Sequence, residues 1–350
     1  MKKTIAICLA LLSVVSIFSS CKSGGNDLED DSVSDSAGSV AVENVSKDES
    51  TDAELPDEDP NFEFSLLTDG TYGINKYLNT TASEVSVPDT YNGKAVTVIM
   101  KDAFKNCSNL TSVIIPDSIN EISEGAFFGC SNLNSMSVPF IGKNRGASAS
   151  LGYFFGQTKY AGAQKVNHRY SSPDGYERQK PFYIPAGLKK VEVTDSIIKT
   201  YAFDSCEMLE EIVFGDGVTD IEINAFIECE NLERIYMGSG FTKVPDECFA
   251  YLFSLKSIVI GKNVTKIGRL AFNNCESLEN VTIPYKVNVI EPYAFSGCKS
   301  LKGITFECTT GWYRDYGFSS GTGMTVRDPA VNAVNLTEKG DYVCDRWKRK

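Results

Sequence analysis

The sequence predicts an α/β solenoid: a curved stack of about nine coils, each a 23-residue repeat, with one parallel β-sheet on one side and turns or short helical segments on the other. Three observations predict it. An Ala-Phe pair recurs at Ala103-Phe104, Ala126-Phe127, Ala202-Phe203, Ala225-Phe226, Ala271-Phe272 and Ala294-Phe295, with Cys248-Phe249 in phase, and five of the six intervals are 23 residues. Between the pairs runs an alternating segment of the form L-x-x-I-x-I. A proline or glycine closes that segment, and a second apolar pair leads back to the next Ala-Phe.

Within one copy, phenylalanine, the cysteine three residues on and the leucine three further on supply a turn that faces inward. The strand follows, as at Leu110, Val113 and Ile115, or Leu278, Val281 and Ile283, its period of two giving one buried and one exposed face. Pro116, Pro139, Gly215, Gly238, Gly261 and Pro284 end these strands. The second pair, such as Ile119 and Ile122 or Val264 and Ile267, closes the coil. A lone copy buries too little apolar surface to offset the ordering of its own backbone, so the copies must stack and share a core. Counting from Val85 and Val87 to Ile304 and Phe306 gives nine strands, a sheet roughly 40 Å long at about 4.8 Å per strand. The one irregular interval, 76 residues, contains Gly152-Tyr153-Phe154-Phe155-Gly156, which reads like Gly125-Ala126-Phe127-Phe128-Gly129. A diverged copy is therefore expected there, followed by a polar loop insertion at about 157–181.

The ends divide the chain further. Lys2 and Lys3, an apolar run from Ile5 to Phe18 and the small residues Ser19-Ser20 read as a secretory signal over 1–20, with a membrane-spanning anchor as the alternative. Phe18-Ser19-Ser20-Cys21 resembles a bacterial lipobox, which implies acylation of Cys21; an ordinary cleaved signal is the other reading. Lys22 to Pro60 holds 13 acidic and two basic residues, a net -11; with +2 from the signal and -12 for the whole chain, residues 61 to 350 carry only -3. The stretch 21–61 is thus expected to be a disordered, self-repelling tether. Residues 62–306 form the solenoid, and 307–350 a C-terminal cap.

The pattern L-x-x-I-x-I-P, then I-x-x-I, then A-F-x-x-C-x-x-L is similar to the BspA-like, or treponemal, class of bacterial leucine-rich repeats over about residues 82 to 306. The resemblance implies a secreted or surface-anchored protein, associated with adhesion to host matrix proteins or other bacteria. It implies a protein ligand, a membrane link through the lipid alone, and a place in the bacterial cell envelope, on the outer-membrane surface. A structural envelope lipoprotein with no specific ligand is the competing reading. A monomer is expected.

Cys107, Cys130, Cys206, Cys229, Cys275 and Cys298 share one place in the repeat and predict a buried ladder of free thiols, with ladder disulfides as the alternative. Cys308 and Cys344 lie in the cap, and a bridge between them would contribute about 3.8 kcal/mol by loop entropy. His168 is the sole histidine and is expected on the surface of the polar insertion. With one histidine, Ser-His and Cys-His chemistry is confined to that residue, and a zinc site would need cysteines already used by the ladder. Gly317-Phe318-Ser319-Ser320-Gly321 matches G-x-S-x-G, but no histidine follows it. No phosphate loop or H-E-x-x-H is present, and the near-neutral fold has no basic stripe for nucleic acid. The reading is a non-enzyme without metal or cofactor.

Two surfaces are candidates for a partner. The first is the open face of the sheet, with a column Ile114, Ser137, Val213, Tyr236, Val259, Thr282 and Thr305 beside a second column containing Glu211 and Arg234. The other reading is that β-branched and aromatic residues merely suit strands. The second surface is the insertion, with His168, Tyr170 and Tyr176, which could instead serve as a lateral brace.

Overall fold

The structure is a computed structural model and describes residues 59–147, 149–172, 174, 176–315, 329–337 and 346–349. The expected signal, Cys21, nearly all of the tether, Cys344 and the Gly317 to Gly321 segment lie outside the described residues.

The described chain is a β-solenoid with few helices. Nine parallel strands follow one another in chain order along one sheet: Glu84–Ser86, Ser112–Ile114, Ser135–Val138, Lys190–Ile198, Glu211–Ile221, Arg234–Tyr236, Ser257–Val259, Asn280–Ile283 and Gly303–Phe306. Adjacent strands meet in matching register, for example Ile212 with Ile235 and Ile235 with Ile258. Such pairing places the alternate apolar residues in one buried column, which runs through Val113, Met136, Val191, Ile212, Ile235 and Ile258.

Most of these strands are fed by an Ala-Phe turn, whose Phe and Cys are buried and whose Leu is buried in every copy but the last, where Leu301 is half-buried. The turns stack by backbone hydrogen bonds: Phe104 N–H donates to Ala126 O at 2.8 Å, and Phe272 N–H donates to Ala294 O at 2.8 Å. Their rings follow suit, with Phe104 and Phe127 stacked at 4.7 Å and Phe272 and Phe295 at 5.1 Å. The ladder thiols are free. Cys130, Cys229, Cys275 and Cys298 each donate to a phenylalanine carbonyl of a neighbouring coil at 3.0 to 3.1 Å, so equivalent sulfurs satisfy the stacked backbone rather than one another. In the coil that departs from the pattern, Cys248 takes the alanine place and Leu252 the cysteine place, both buried.

The side opposite the long sheet differs from the expected mixture of turns and helical segments. The second apolar pair forms two-residue strands, Lys243–Val244, Lys266–Ile267 and Val289–Ile290, which pair in parallel across coils. Among the described residues the only helices are a 3-10 turn, Leu151–Phe154, and an α-helix, Pro329–Leu336, after the last coil. The tight turn leaves no length for more: at each turn that carries the Ala-Phe or Cys-Phe pair two residues four apart take positive φ, as Asp102 and Asn106 or Leu270 and Asn274 do, and this reverses the chain.

Both ends of the core are covered. Phe62 and Tyr77 pack on Phe104 at the first coil. At the last, Trp312 meets Phe306 edge-on at 4.9 Å while Trp347 stacks over it at 6.1 Å. Asn332 Nδ2 donates to Ile304 O at 2.9 Å, satisfying a carbonyl on the last strand of the long sheet.

The segment expected to be a polar loop is a β-hairpin. Ala163–Ser171 and Glu177–Pro185 pair residue for residue, antiparallel, with Val166 opposite Phe182 and His168 opposite Lys180. Val166, His168, Phe182 and Ile184 are buried, so the hairpin has an inner face that a surface loop would lack.

Candidate interaction surfaces

The exposed column of the sheet is assembled by strand register. Ile114 sits beside Ser137, Val213 beside Tyr236, and Tyr236 beside Val259. Ile114 is 50% exposed and Val259 53%, large apolar side chains left open to solvent. Register adds Glu192 between Ser137 and Val213, a position absent from the expected column because its strand does not belong to an intact Ala-Phe copy.

The neighbouring column is ionic rather than free. Arg234 Nε donates to Glu211 Oε2 at 3.0 Å and Arg234 Nη1 to Glu233 Oε2 at 3.0 Å. Lys190 pairs with Glu211 at 2.8 Å and Lys256 with Glu233 at 2.6 Å. Partial burial alone would raise the Glu211 carboxyl, but hydrogen bonds and charge from Lys190 and Arg234 outweigh it and hold the group below its ordinary value. Arg234 is held above its own, first by the hydrogen bond to Glu211. The arginine therefore frames the Val213, Tyr236 and Val259 patch as part of a charge chain across four strands.

His168 corrects the expectation of a surface histidine: it is 1% exposed and lies 5.4 Å from the Phe182 ring. Burial pushes its imidazole down to about 3, and the Lys180 charge directly across the hairpin acts in the same direction. The hairpin is clamped to the coils by Arg169, whose backbone N–H donates to Asp204 Oδ2 at 2.5 Å and whose Nη1 donates to Asp204 Oδ1 at 2.6 Å. Arg169 Nη2 reaches Glu228 as well, and Tyr201 donates its hydroxyl to Glu177. Desolvation raises the Asp204 carboxyl, against the lowering effect of Arg169. Tyr170 and Tyr176 remain outside, 36% and 71% exposed. The structure does not bring the hairpin tyrosines and Tyr236 together as one described surface.

A third apolar patch lies where one copy departs from the repeat. Tyr251 is 58% exposed and Phe253 46%, with rings 6.2 Å apart. Their counterparts in the first copy are Asn106 and Ser108. The signal in the sequence is the departure of Tyr251 and Phe253 from the small or polar residues at the same places of the first copy.

Cys308 lies at intermediate exposure. A hydrogen bond with the Thr310 backbone, chief among several contacts, holds its thiol below the ordinary value. Its expected partner Cys344 is outside the described residues. Among the described residues, no group of three or more His, Cys, Asp or Glu side chains is arranged to hold a metal ion, and no helix is long and apolar enough to cross a membrane.

A family model described as the BspA type leucine rich repeat region matches the chain in six copies, over residues 74–149 and 179–325. Solved structures similar to the chain include a leucine rich cell surface protein from Faecalibacterium prausnitzii, at 26% identity and TM-score 0.36. That match covers 79% of this chain, and the chain spans 62% of that structure. The leucine rich repeat protein of T. pallidum matches at 18% identity and TM-score 0.34, covering 71% of this chain and 91% of that one. The pneumococcal vaccine antigen PcpA matches at 15% identity and TM-score 0.24, covering 73% and 82%. No curated protein matches the sequence.

Proposed function

Because the chain belongs to the BspA-type leucine-rich-repeat family, we propose that it is a non-enzymatic cell-surface lipoprotein, acylated at Cys21, that binds a protein partner through the open face of its long sheet. The observation that carries this reading is the in-register run Val213, Tyr236 and Val259, an apolar strip with Val259 53% exposed, framed by the paired charges of Lys190, Glu211, Arg234, Glu233 and Lys256. An aromatic anchor in an apolar patch with a polar rim suits protein recognition. The rigid register holds the strip in shape before contact, which limits the ordering cost of binding. The acidic tether between Cys21 and the fold supplies reach from the envelope.

The test is binding of the purified chain to matrix proteins and to intact bacteria, compared with the double variant Tyr236→Ala and Val259→Lys. Loss of at least about 2 kcal/mol of binding free energy in a folded variant supports the reading. Uniform failure of the unaltered chain to bind would favour a structural envelope role instead.

A further inference from the structure

A cleft of about 510 Å³ lies between the hairpin and the coils beside it, within the range of about 300–1,000 Å³ usual for small-ligand sites. Among the described residues its lining includes three cations, Lys143, Arg169 and Lys180, and no carboxylate. The cations are not equivalent. Lys143 is paired with Glu121 at 3.4 Å, and Arg169 is neutralised by Asp204 and Glu228. Lys180 has no carboxylate partner among the described residues; its ammonium lies 5.6 Å from the Tyr170 ring centre and 5.0 Å from that of Phe182.

The remaining lining suits a ring that bears hydroxyls. Tyr153, Tyr170, Tyr201 and Phe182 offer aromatic surface, and Ser150, Ser171 and Thr200 offer hydroxyl groups. His168 also lines the cleft, and both of its ring nitrogens are buried with no hydrogen-bond partner among the described residues. A neutral imidazole carries one donor and one acceptor, the pair a sugar hydroxyl can satisfy. Leaving such groups unmatched is unfavourable in a folded protein.

We propose that this cleft binds an acidic monosaccharide unit, a pyranose carrying a carboxylate, with the carboxylate at Lys180 and ring hydroxyls toward His168. The aromatic side chains receive the apolar ring surface. This site is distinct from the Tyr236 strip, and its success or failure leaves the sheet-face reading untouched.

His168 is the only histidine in the chain, so its imidazole signals in a 15N-edited spectrum report this cleft without assignment ambiguity. The full chain is titrated with glucuronate, with glucose as the neutral analogue and with cyclohexanecarboxylate as the acid lacking hydroxyls. Glucuronate is expected to shift the His168 signals and to bind at least about tenfold tighter than either analogue. Lys180→Met should bring glucuronate down to the affinity of glucose without changing the melting temperature, whereas Lys262→Met, on an exposed lysine outside the cleft, should change nothing. The proposal is overturned if no titrant moves His168, if cyclohexanecarboxylate binds as well as glucuronate, or if folded Lys180→Met binds glucuronate unchanged.

Discussion

Positive φ angles at Glu247, Tyr251, Leu270 and Tyr293 place ordinary side chains where the equivalent residues of other coils include Asn106, Gly125, Gly129 and Gly297. The left-handed region costs an L-residue roughly 1–2 kcal/mol, so these positions are tolerated because the stacked backbone ladder determines them. Glu247 is exposed, and its counterpart Gly125 has open space around it. Glu247→Gly is therefore expected to raise stability by about 0.5 kcal/mol, relief of strain exceeding the added entropy of the unfolded chain, as read by urea denaturation. His168 makes the second residue-scale prediction. Its folded value of about 3 lies below the ordinary 6.5, so between those values the unfolded chain takes up a proton that the folded chain refuses. Stability is full above pH 6.5 and falls as the pH drops, by up to about 1.4 kcal/mol per unit. A folded His168→Leu variant should lose that component of the slope while keeping the part due to carboxylates.

The phenylalanine column shows how one element depends on its neighbours. Phe272 stacks on Phe249 at 5.6 Å and on Phe295 at 5.1 Å and is fully buried. Phe272→Ala is expected to cost about 3–5 kcal/mol by equilibrium unfolding, with amide protection falling in both adjoining coils rather than in its own alone. The hairpin obeys a different rule. It rests on Gly152, where an added Cβ would lie 2.5 Å from Phe182 Cβ and 2.8 Å from His168 Cδ2. Gly152→Ala should therefore loosen residues 163–185 first, at a cost of about 1–3 kcal/mol, seen as faster local hydrogen exchange while the Ala-Phe coils keep their protection.

Across the whole molecule the core is one continuous stack whose exposed ends would otherwise unravel. Trp312, Trp347 and the helix Pro329–Leu336 cover the last coil, while Phe62 and Tyr77 cover the first. The same burial governs the thiols. Desolvation pushes Cys107 up to about 11 and Cys298 up to about 12, and it drives Cys130, Cys206, Cys229, Cys248 and Cys275 well above the ordinary thiol value. Since the thiolate is the reacting species, Cys308 is expected to be the first of the described thiols labelled by a disulfide reagent at neutral pH, with the ladder reacting only on unfolding; mass mapping checks this.

The repeat was legible because it writes the same burial demand into each copy. The strand that carries Val281 and Ile283, the Phe column and the thiol ladder all follow from residues spaced to face one core. The hairpin was legible only in part: Val166, His168 and Tyr170 alternate with Lys165, Asn167 and Arg169, whereas Phe182 and Ile184 sit among Pro181, Tyr183 and Pro185, and the surrounding Gln, Lys and Arg made the segment read as a loop. What buries His168 is a surface 14 or more residues away in sequence, at Leu151–Phe154 and beyond, so no local pattern announces it. Glu192 likewise joined the exposed column through register alone. The sequence by itself determined the stacked solenoid and its core, because stacking copies have one periodic way to cover their apolar faces; that the second apolar pair forms short strands rather than helical segments was decided by the structure. The tertiary structure decided which charges are paired, where the hairpin docks and which cation is left beside the cleft, because those outcomes depend on contacts between segments that share no repeat.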